Sequence, residues 1–501
     1  MDYLGRVSNE LWLRFWSSCA RTELTNLALT CTAFRDLFQP LLFEHLRVVL
    51  PDGQWGPKTE IDGNRDALIA RFSNIAANPR LAGFVKSVYY ADELEMGNPG
   101  QMDAITAFKE MVPEEFFETL PKFANVHTLA IHNANIDIET EVREPIEKLP
   151  NLRVLTLSRV ALGDGTGKIL PLESFTFQHG EWAAAIIDAA TIRRLVLRGE
   201  SELAPFIAKL KNKTLPRLTH LELDVSKELP EAKVSAFLQQ CPNLESLVLV
   251  RHPARTQPAF SGGPMAIVNG MPVSLGAGGG GLQALLMGMN SFMNGAGPDP
   301  RVPAPPPAVE LRLSLPSGAT ALVNLRELRC PYGFAVSLLP HLPALQSLEL
   351  LRSDAEASSA LPTAAIEAAA APASSGLRKL SLMTPLVLDA STLGGVFSAM
   401  TGAMPHLSAL KLVLQDARAR EEFRAGSMQL QLPPAVCRLE IEVQKPTKQG
   451  LAFWGDDVTG VQLGTKWGEL QGTGALEEVA LLVKKGTRVF VKHGDVWQMR
   501  V

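Results

Sequence analysis

The stretch Gly163-Asp164-Gly165-Thr166-Gly167-Lys168-Ile169 comes nearest, in this chain, to a loop built for chemistry. A phosphate-binding loop wraps backbone N–H groups round the phosphates, reaches them with a Lys, and needs a hydroxyl next to hold Mg²⁺. Here the first Gly is missing at the required spacing and Ile169 stands where the hydroxyl belongs, so the segment reads as a turn after a strand ending near Leu157. The run Gly276 to Gly281 lacks a Lys-Ser/Thr and reads as a linker. His127 and His132 lie five apart with no Cys or further His close by, which falls short of a metal-ligand set. The cysteines Cys19, Cys31, Cys241, Cys330 and Cys437 are odd in number and free of C-x-x-C spacing, as expected of free thiols in a reducing compartment. Neither G-x-S-x-G nor H-E-x-x-H occurs. These readings assign no catalytic, cofactor-binding or metal-ligating residue, imply no cofactor, and favour a chain that binds rather than reacts.

The chemistry left is recognition, and the elements that would present it recur along the chain. The form L-x-x-L-x-L appears as Val126/Leu129/Ile131, Leu152/Leu155/Leu157, Leu172/Phe175/Phe177, Ile192/Leu195/Leu197, Leu218/Leu221/Leu223 and Leu244/Leu247/Leu249. It returns as Leu325/Leu328/Cys330, Leu345/Leu348/Leu350, Leu377/Leu380/Leu382, Leu407/Leu410/Leu412 and Val436/Leu439/Ile441. Weaker candidates are Val85/Val88/Tyr90 and Leu476/Val479/Leu481. Most steps lie in or near the range of leucine-rich repeats. Several blocks follow a Pro (Pro150, Pro242, Pro343) that ends the preceding helix. In L-x-L both leucines point to one side of a short strand and the residue between them to the other. Each repeat thus leaves an apolar face that only its neighbours can cover, and stability accumulates by stacking. The position three after the second leucine, where steady repeats carry Asn, holds Ala134, Val160, Ser226 or His252, so an irregular array is expected.

The expected fold is α/β: a small N-terminal helical module, then an irregular leucine-rich-repeat solenoid, a curved parallel sheet with outer helices. The divisions are residues 1–50 for the module, 70–250 for the first repeats, and 251–310 for a Gly/Pro-rich flexible insertion. The second repeats occupy 311–445, and 446–501 forms a β-rich cap. A client would meet the concave strand face, where candidates beside the core leucines are Arg194, Arg198, His220, Glu222, Asp224, Glu327, Arg329, Glu349, Lys379 and Lys411. Their mixed signs name no client class.

In the module, Leu11 and Phe15 lie four apart, as do Trp12 and Trp16, giving one helix two apolar rows. Leu24, Leu27, Ala28 and Cys31 make the stripe of a second helix, with Thr22 or Thr25 as its cap. Phe34, Leu37 and Phe38 continue until Pro40, where a break or restart is expected. The segment resembles an F-box over residues 5–48. Val7, Glu10, Leu11, Phe15, Trp16, Leu24, Leu27, Cys31, Phe34 and Arg35 match that family's pattern, while Ser8, Cys19 and Thr30 depart from it. The resemblance implies docking onto the Skp-type adaptor of a cullin–RING (SCF-type) ubiquitin ligase through Val7, Leu11, Trp12, Phe15, Trp16 and Leu27. The overall texture is similar to fungal F-box receptors with leucine-rich repeats. The alternatives are a cap over the first repeat, and a repeat scaffold with no ligase association.

The balance of 48 basic and 52 acidic residues, net −4, supplies no general drive toward nucleic acid or anionic membrane. No basic n-region opens the chain and no apolar run is long enough to span a bilayer, so a cytoplasmic or nuclear location is expected.

Overall fold

The computed structural model describes residues 19–50, 58–92, 102–132, 143–160, 168–178, 186–199, 210, 213–224, 231–250, 265–268, 271–274, 322–351, 361–369, 376–383, 398–401, 404–414, 432–443, 476–483, 486–493 and 496–500. Its strands are β1 (His45–Leu50), β2 (Ser87–Asp92), β3 (Thr128–His132), β4 (Val154–Ser158), β5 (Ser174–Gln178), β6 (Arg194–Arg198), β7 (His220–Asp224), β8 (Ser246–Val250), β9 (Met265–Val268), β10 (Met271–Ser274), β11 (Glu327–Pro331), β12 (Ser347–Leu351), β13 (Lys379–Met383), β14 (Ala409–Leu414), β15 (Arg438–Val443), β16 (Glu478–Val483), β17 (Gly486–His493) and β18 (Val496–Arg500). All except β9 and β10 form one sixteen-stranded open sheet whose spatial order is the chain order. Neighbours from β1 through β16 are parallel, and β17 and β18 close the run antiparallel. A parallel sheet in strict chain order is what stacked repeats produce.

The alternation of the L-x-L blocks decides which side is core. Leu46, Val88, Leu129, Leu155, Phe175, Leu195, Leu221, Leu247, Leu328, Leu348, Leu380, Leu410, Leu439 and Val479 align in one cross-strand row, each buried. The second row runs Val48, Tyr90, Ile131, Leu157, Phe177, Leu197, Leu223 and Leu249, then resumes as Cys330, Leu350, Leu382, Leu412 and Ile441. Both rows belong to one continuous core.

Two hydrogen-bond ladders hold the repeats in register. The carbonyl just before each strand accepts two successive N–H groups from the next repeat, as when Arg153 O takes those of Glu173 and Ser174 at 2.8 and 3.1 Å. The second ladder is built by Asn. Asn125, Asn151, Asn243 and Asn324 each directly precede the first apolar residue of a block, and each amide donates backward, to the carbonyls of Gly83, Ala124, Pro216 and Pro242 at 2.8, 3.0, 2.8 and 3.4 Å. Thr191 does the same with its hydroxyl, to Leu172 O at 3.0 Å. The degenerate repeats therefore keep an Asn in front of the block rather than behind its second leucine. At the equivalent positions before β12, β13 and β14 the chain has Ala344, Gly376 and His406 instead.

Helices cover the core side. They are α1 (Arg21–Thr30), α2 (Thr32–Phe43), α3 (Lys58–Ala77), α4 (Pro79–Phe84), α5 (Met102–Thr119), α6 (Arg143–Glu147), α7 (Glu231–Leu238), α8 (Tyr332–Leu338) and α9 (Leu361–Ala369). Phe72 of α3 meets Phe116 of α5 edge-on at 6.1 Å, and the Tyr90 ring lies 4.8 Å from Phe116. Helix α9 buries Ala365, Ile366 and Ala369, so part of the Ala/Ser-rich stretch after Leu351 joins the core.

Four local expectations are corrected. The sheet begins inside the stretch read as purely helical: Leu46 and Val48 alternate into the core, and β1 pairs with β2. Helix α2 runs through Pro40, because Leu41 to Phe43 are drawn against the fold and remain half-buried. Neither Thr22 nor Thr25 caps α1, which starts a turn earlier; Thr25 Oγ1 donates back to Arg21 O at 2.9 Å, and the Glu23 carboxylate receives the Ala20 N–H. Within the segment read as a flexible insertion, β9 and β10 form an antiparallel hairpin, with Val268 opposite Met271. The sequence between them is Asn269-Gly270, the dipeptide that two-residue hairpin loops favour. Meanwhile β8 pairs directly with β11, Leu247 opposite Leu328, so the chain re-enters the sheet as though the two were consecutive.

Candidate protein-binding face

Residues between the paired leucines face away from the core. In register they read Arg47, Tyr89, Ala130, Thr156, Thr176, Val196, Glu222, Val248, Arg329, Glu349, Ser381, Lys411, Glu440 and Ala480. This central row has three characters. At its start the Arg47 guanidinium lies over the Tyr89 ring at 5.2 Å, and the Tyr89 and His132 rings are 5.1 Å apart. From β3 to β6 it carries Ala130, Thr156, Thr176 and Val196 and no charge. From β7 onward it carries Glu222, Arg329, Glu349, Lys411 and Glu440, alternating in sign, with Val248, Ser381 and Ala480 among them.

Those charges answer one another. Arg198 reaches Glu222 at 2.7 Å, Arg329 reaches Glu349 at 3.4 Å, and Lys411 reaches Glu442 at 2.7 Å. Arg438 serves both Glu440 and Glu478, at 2.7 and 3.2 Å. All are partly solvated, so each pair contributes on the order of 0–1 kcal/mol to stability. Each pair also restricts the long side chains that form it.

The candidates from the sequence divide accordingly. Glu222, Arg329, Glu349 and Lys411 sit in the central row and Arg198 at the far ends of the strands, all in ion pairs. Arg194, His220, Glu327 and Lys379 lie in the row where the strands begin, and each is exposed. His220 Nδ1 is 2.8 Å from Thr219 Oγ1. Asp224 is a correction: only 3% exposed, it cannot meet a client. Alternation would put it outward with His220 and Glu222, but at the last position of β7 it is buried, and its carboxylate takes the Gly199 N–H at 3.1 Å. Gly199 has φ 126, a conformation that favours glycine, and the Asp224 contact holds that turn.

Arg47, Tyr89 and His132 are the face residues that reading by blocks missed. The signal was present, since Tyr89 is the outward residue of the weak block Val88-Tyr89-Tyr90. Arg and Tyr, with Trp, are the side chains enriched among those that dominate binding energy at interfaces.

At the N-terminal end, Leu27 is half-buried on α1, and Leu29, outside the expected set, is 80% exposed. Val7, Leu11, Trp12, Phe15 and Trp16 lie outside the described residues. Phe38 of α2 is fully buried, and Arg80–Asp36 and Lys86–Glu44 ion pairs tie this end to the first repeats at 3.0 and 3.1 Å.

Gly163 to Gly167 lie outside the described residues, and the following Lys168 points its ammonium at Glu147 O, 3.5 Å away. His127 precedes β3, with its carbonyl in the backbone ladder, while His132 ends the strand against Tyr89. Among the described residues no group of three or more His, Cys, Asp and Glu is arranged to hold a metal. Among those residues, too, no helix is long and apolar enough to cross a membrane. Burial pushes the Cys241 thiol up to about 12, far from a reactive thiolate.

No known protein family matches the chain, and no curated protein does. Among solved structures the chain is similar to one in the crystal structure of the Rad7 and Elc1 complex in yeast, at 14% identity and a TM-score of 0.32. That likeness covers 78% of this chain and 90% of the other. So low a score carries no weight for fold or function; the fold rests on the strand pairing itself.

Proposed function

We propose that this chain is a substrate-recognition subunit of a cullin–RING ubiquitin ligase. Its N-terminal helices would hold the Skp-type adaptor and its sheet face a client protein, with no catalysis of its own. The observation that carries the reading is a juxtaposition: a short stretch resembling an F-box leads directly into a long parallel sheet whose outward rows bear braced polar and aromatic side chains. Such a receptor accelerates transfer by proximity, raising the client's effective concentration near activated ubiquitin. On the face, Arg47, Tyr89 and His132 form the anchor, and the charged pairs from β7 onward set which partners fit.

The test is capture of a purified Skp-type adaptor by the full-length chain. The double change Leu11→Asp with Phe15→Asp is expected to abolish capture while the circular-dichroism melt of the sheet stays unchanged. Wild-type protein that fails to bind the adaptor, or a double variant that still binds, overturns the reading. A second reading has its own support: the Arg80–Asp36 and Lys86–Glu44 pairs tie the helical end to the first repeats as an end cap would. It makes the chain a repeat scaffold outside any ligase, and it is the reading left standing if the adaptor is not captured.

A further inference from the structure

Where the Asn ladder lapses, the edge of the sheet opens. A cleft of about 690 Å³ is lined by Arg326, Pro343, Ala344, Gln346, Gly376, Arg378, His406 and Ser408. Ala344, Gly376 and His406 hold the positions that Asn occupies in other repeats, and the first two have too little side chain to bridge to the repeat before. Arg326, Gln346, Arg378 and Ser408 immediately precede β11, β12, β13 and β14 and are locked by the backbone ladder, with successive N···O distances of 2.8 to 3.0 Å. Neighbouring strands lie about 4.8 Å apart, so Arg326 and Arg378 flank the cleft with their chains about 10 Å apart. That is near enough for both guanidiniums to close on one anion.

The lining contains two guanidiniums, an imidazole, a hydroxyl and an amide, and no carboxylate. Arg326 and Arg378 make no ion pair among the described residues, unlike most of the charges on the central face. Planar guanidinium forks match the oxygens of phosphate, and the Gln346 amide supplies a further donor, while the Ser408 hydroxyl donates to Arg378 O at 3.1 Å and braces that backbone. Pro343, Ala344 and Gly376 leave an uncharged floor suited to an extended backbone. The positive charge is also bounded. Glu245 stands before β8 and Glu477 before β16 in the same row, which disfavours a long polyanion such as nucleic acid.

We infer that this cleft binds a phosphorylated serine or threonine within an extended segment of a partner protein. Arg326 and Arg378 clamp the phosphate, and His406 and Gln346 complete its donors. The inference rests on the client half of the proposed function and owes nothing to the adaptor half.

The probe is an array of degenerate phosphoserine and phosphothreonine peptides, with unphosphorylated and Asp-substituted counterparts, read by full-length protein. Vesicles containing phosphoinositides form a separate arm. Phosphate-dependent binding is expected, with a loss of at least about tenfold in Arg326→Gln and in Arg378→Gln. Gly376→Asn is the sharper variant. A Cβ there comes no nearer than 3.6 Å to Leu345 O, so the side chain fits, and its amide would refill the cleft and extend the ladder. It should abolish peptide binding while holding or raising the melting temperature. Equal binding of the Asp peptides, binding untouched by all three variants, no phosphopeptide binding, or capture of the vesicles alone each overturns the inference. Adaptor capture, measured on the same variants, should not change, which separates failure here from failure of the ligase reading.

Discussion

Replacing Leu380 by Ala tests whether stability in this chain is handed from neighbour to neighbour. Leu380 is 2% exposed on β13, between Leu348 of β12 and Leu410 of β14 in the first core row. Truncation removes three carbons and leaves a void that the flanking strands cannot close, because the backbone ladder fixes their spacing. Such changes cost about 2–5 kcal/mol; a central value of about 3 is expected at so regular a site. The loss should be local, since β13 bonds only to β12 and β14. Native-state hydrogen exchange read by mass spectrometry resolves it: amides of β12 to β14 should lose protection by about a hundredfold. Those of β3 to β5 should change by less than a factor of about three. If protection falls evenly from β3 to β15, the sheet unfolds as one cooperative body and the stacking argument fails. If β13 changes by less than about tenfold, the core row is not the source of stability.

Two further outcomes follow from buried groups. Tyr90 is fully buried, and its hydroxyl has no hydrogen-bond partner among the described residues, while burial and Asp92 push its ionisation upward. Tyr90→Phe keeps the contacts with Phe116 and Phe117 and should raise stability in denaturant by about 1 kcal/mol; a loss of that size would show that the hydroxyl is bonded after all. The Cys241 thiol, raised by burial to about 12, is protonated in the folded chain at pH values where an unfolded thiol, near ~8.5, is already ionised. Its contribution is therefore whole below about pH 8.5 and drains away as pH climbs toward the folded value. Wild type should lose stability more steeply than Cys241→Ala across that window, and identical slopes would dismiss the linkage.

What the sequence made legible was whatever repeats within one block. Every Leu-x-x-Leu-x-Leu segment, including the weak Val85 and Leu476 examples, supplies a strand, and the apolar pairs from Val88/Tyr90 to Leu439/Ile441 are buried, because period-two alternation needs no knowledge of neighbours. What escaped depends on groups brought together by stacking. The Asn151–Ala124 bond joins positions 27 apart, and Gly199 meets Asp224 across 25 residues, so no local pattern announces either. The Arg47–Tyr89–His132 cluster draws on three strands at once. The hairpin β9–β10 was hidden for another reason: Asn269-Gly270 sits in a stretch whose Gly and Pro content drowned a turn signal of two residues. Of the candidate face, the outward positions were readable from alternation, whereas Asp224 shows that alternation lapses where a strand ends.

The seam between β8 and β11 sets a different kind of freedom. Because those strands bond with no slip in register, the length of sequence between Val250 and Leu322 can grow, shrink or be exchanged without rotating a single later side chain. Whatever function such a cassette acquires, the surfaces on either side keep their phase, so one part of the molecule is open to reinvention while the rest stays fixed.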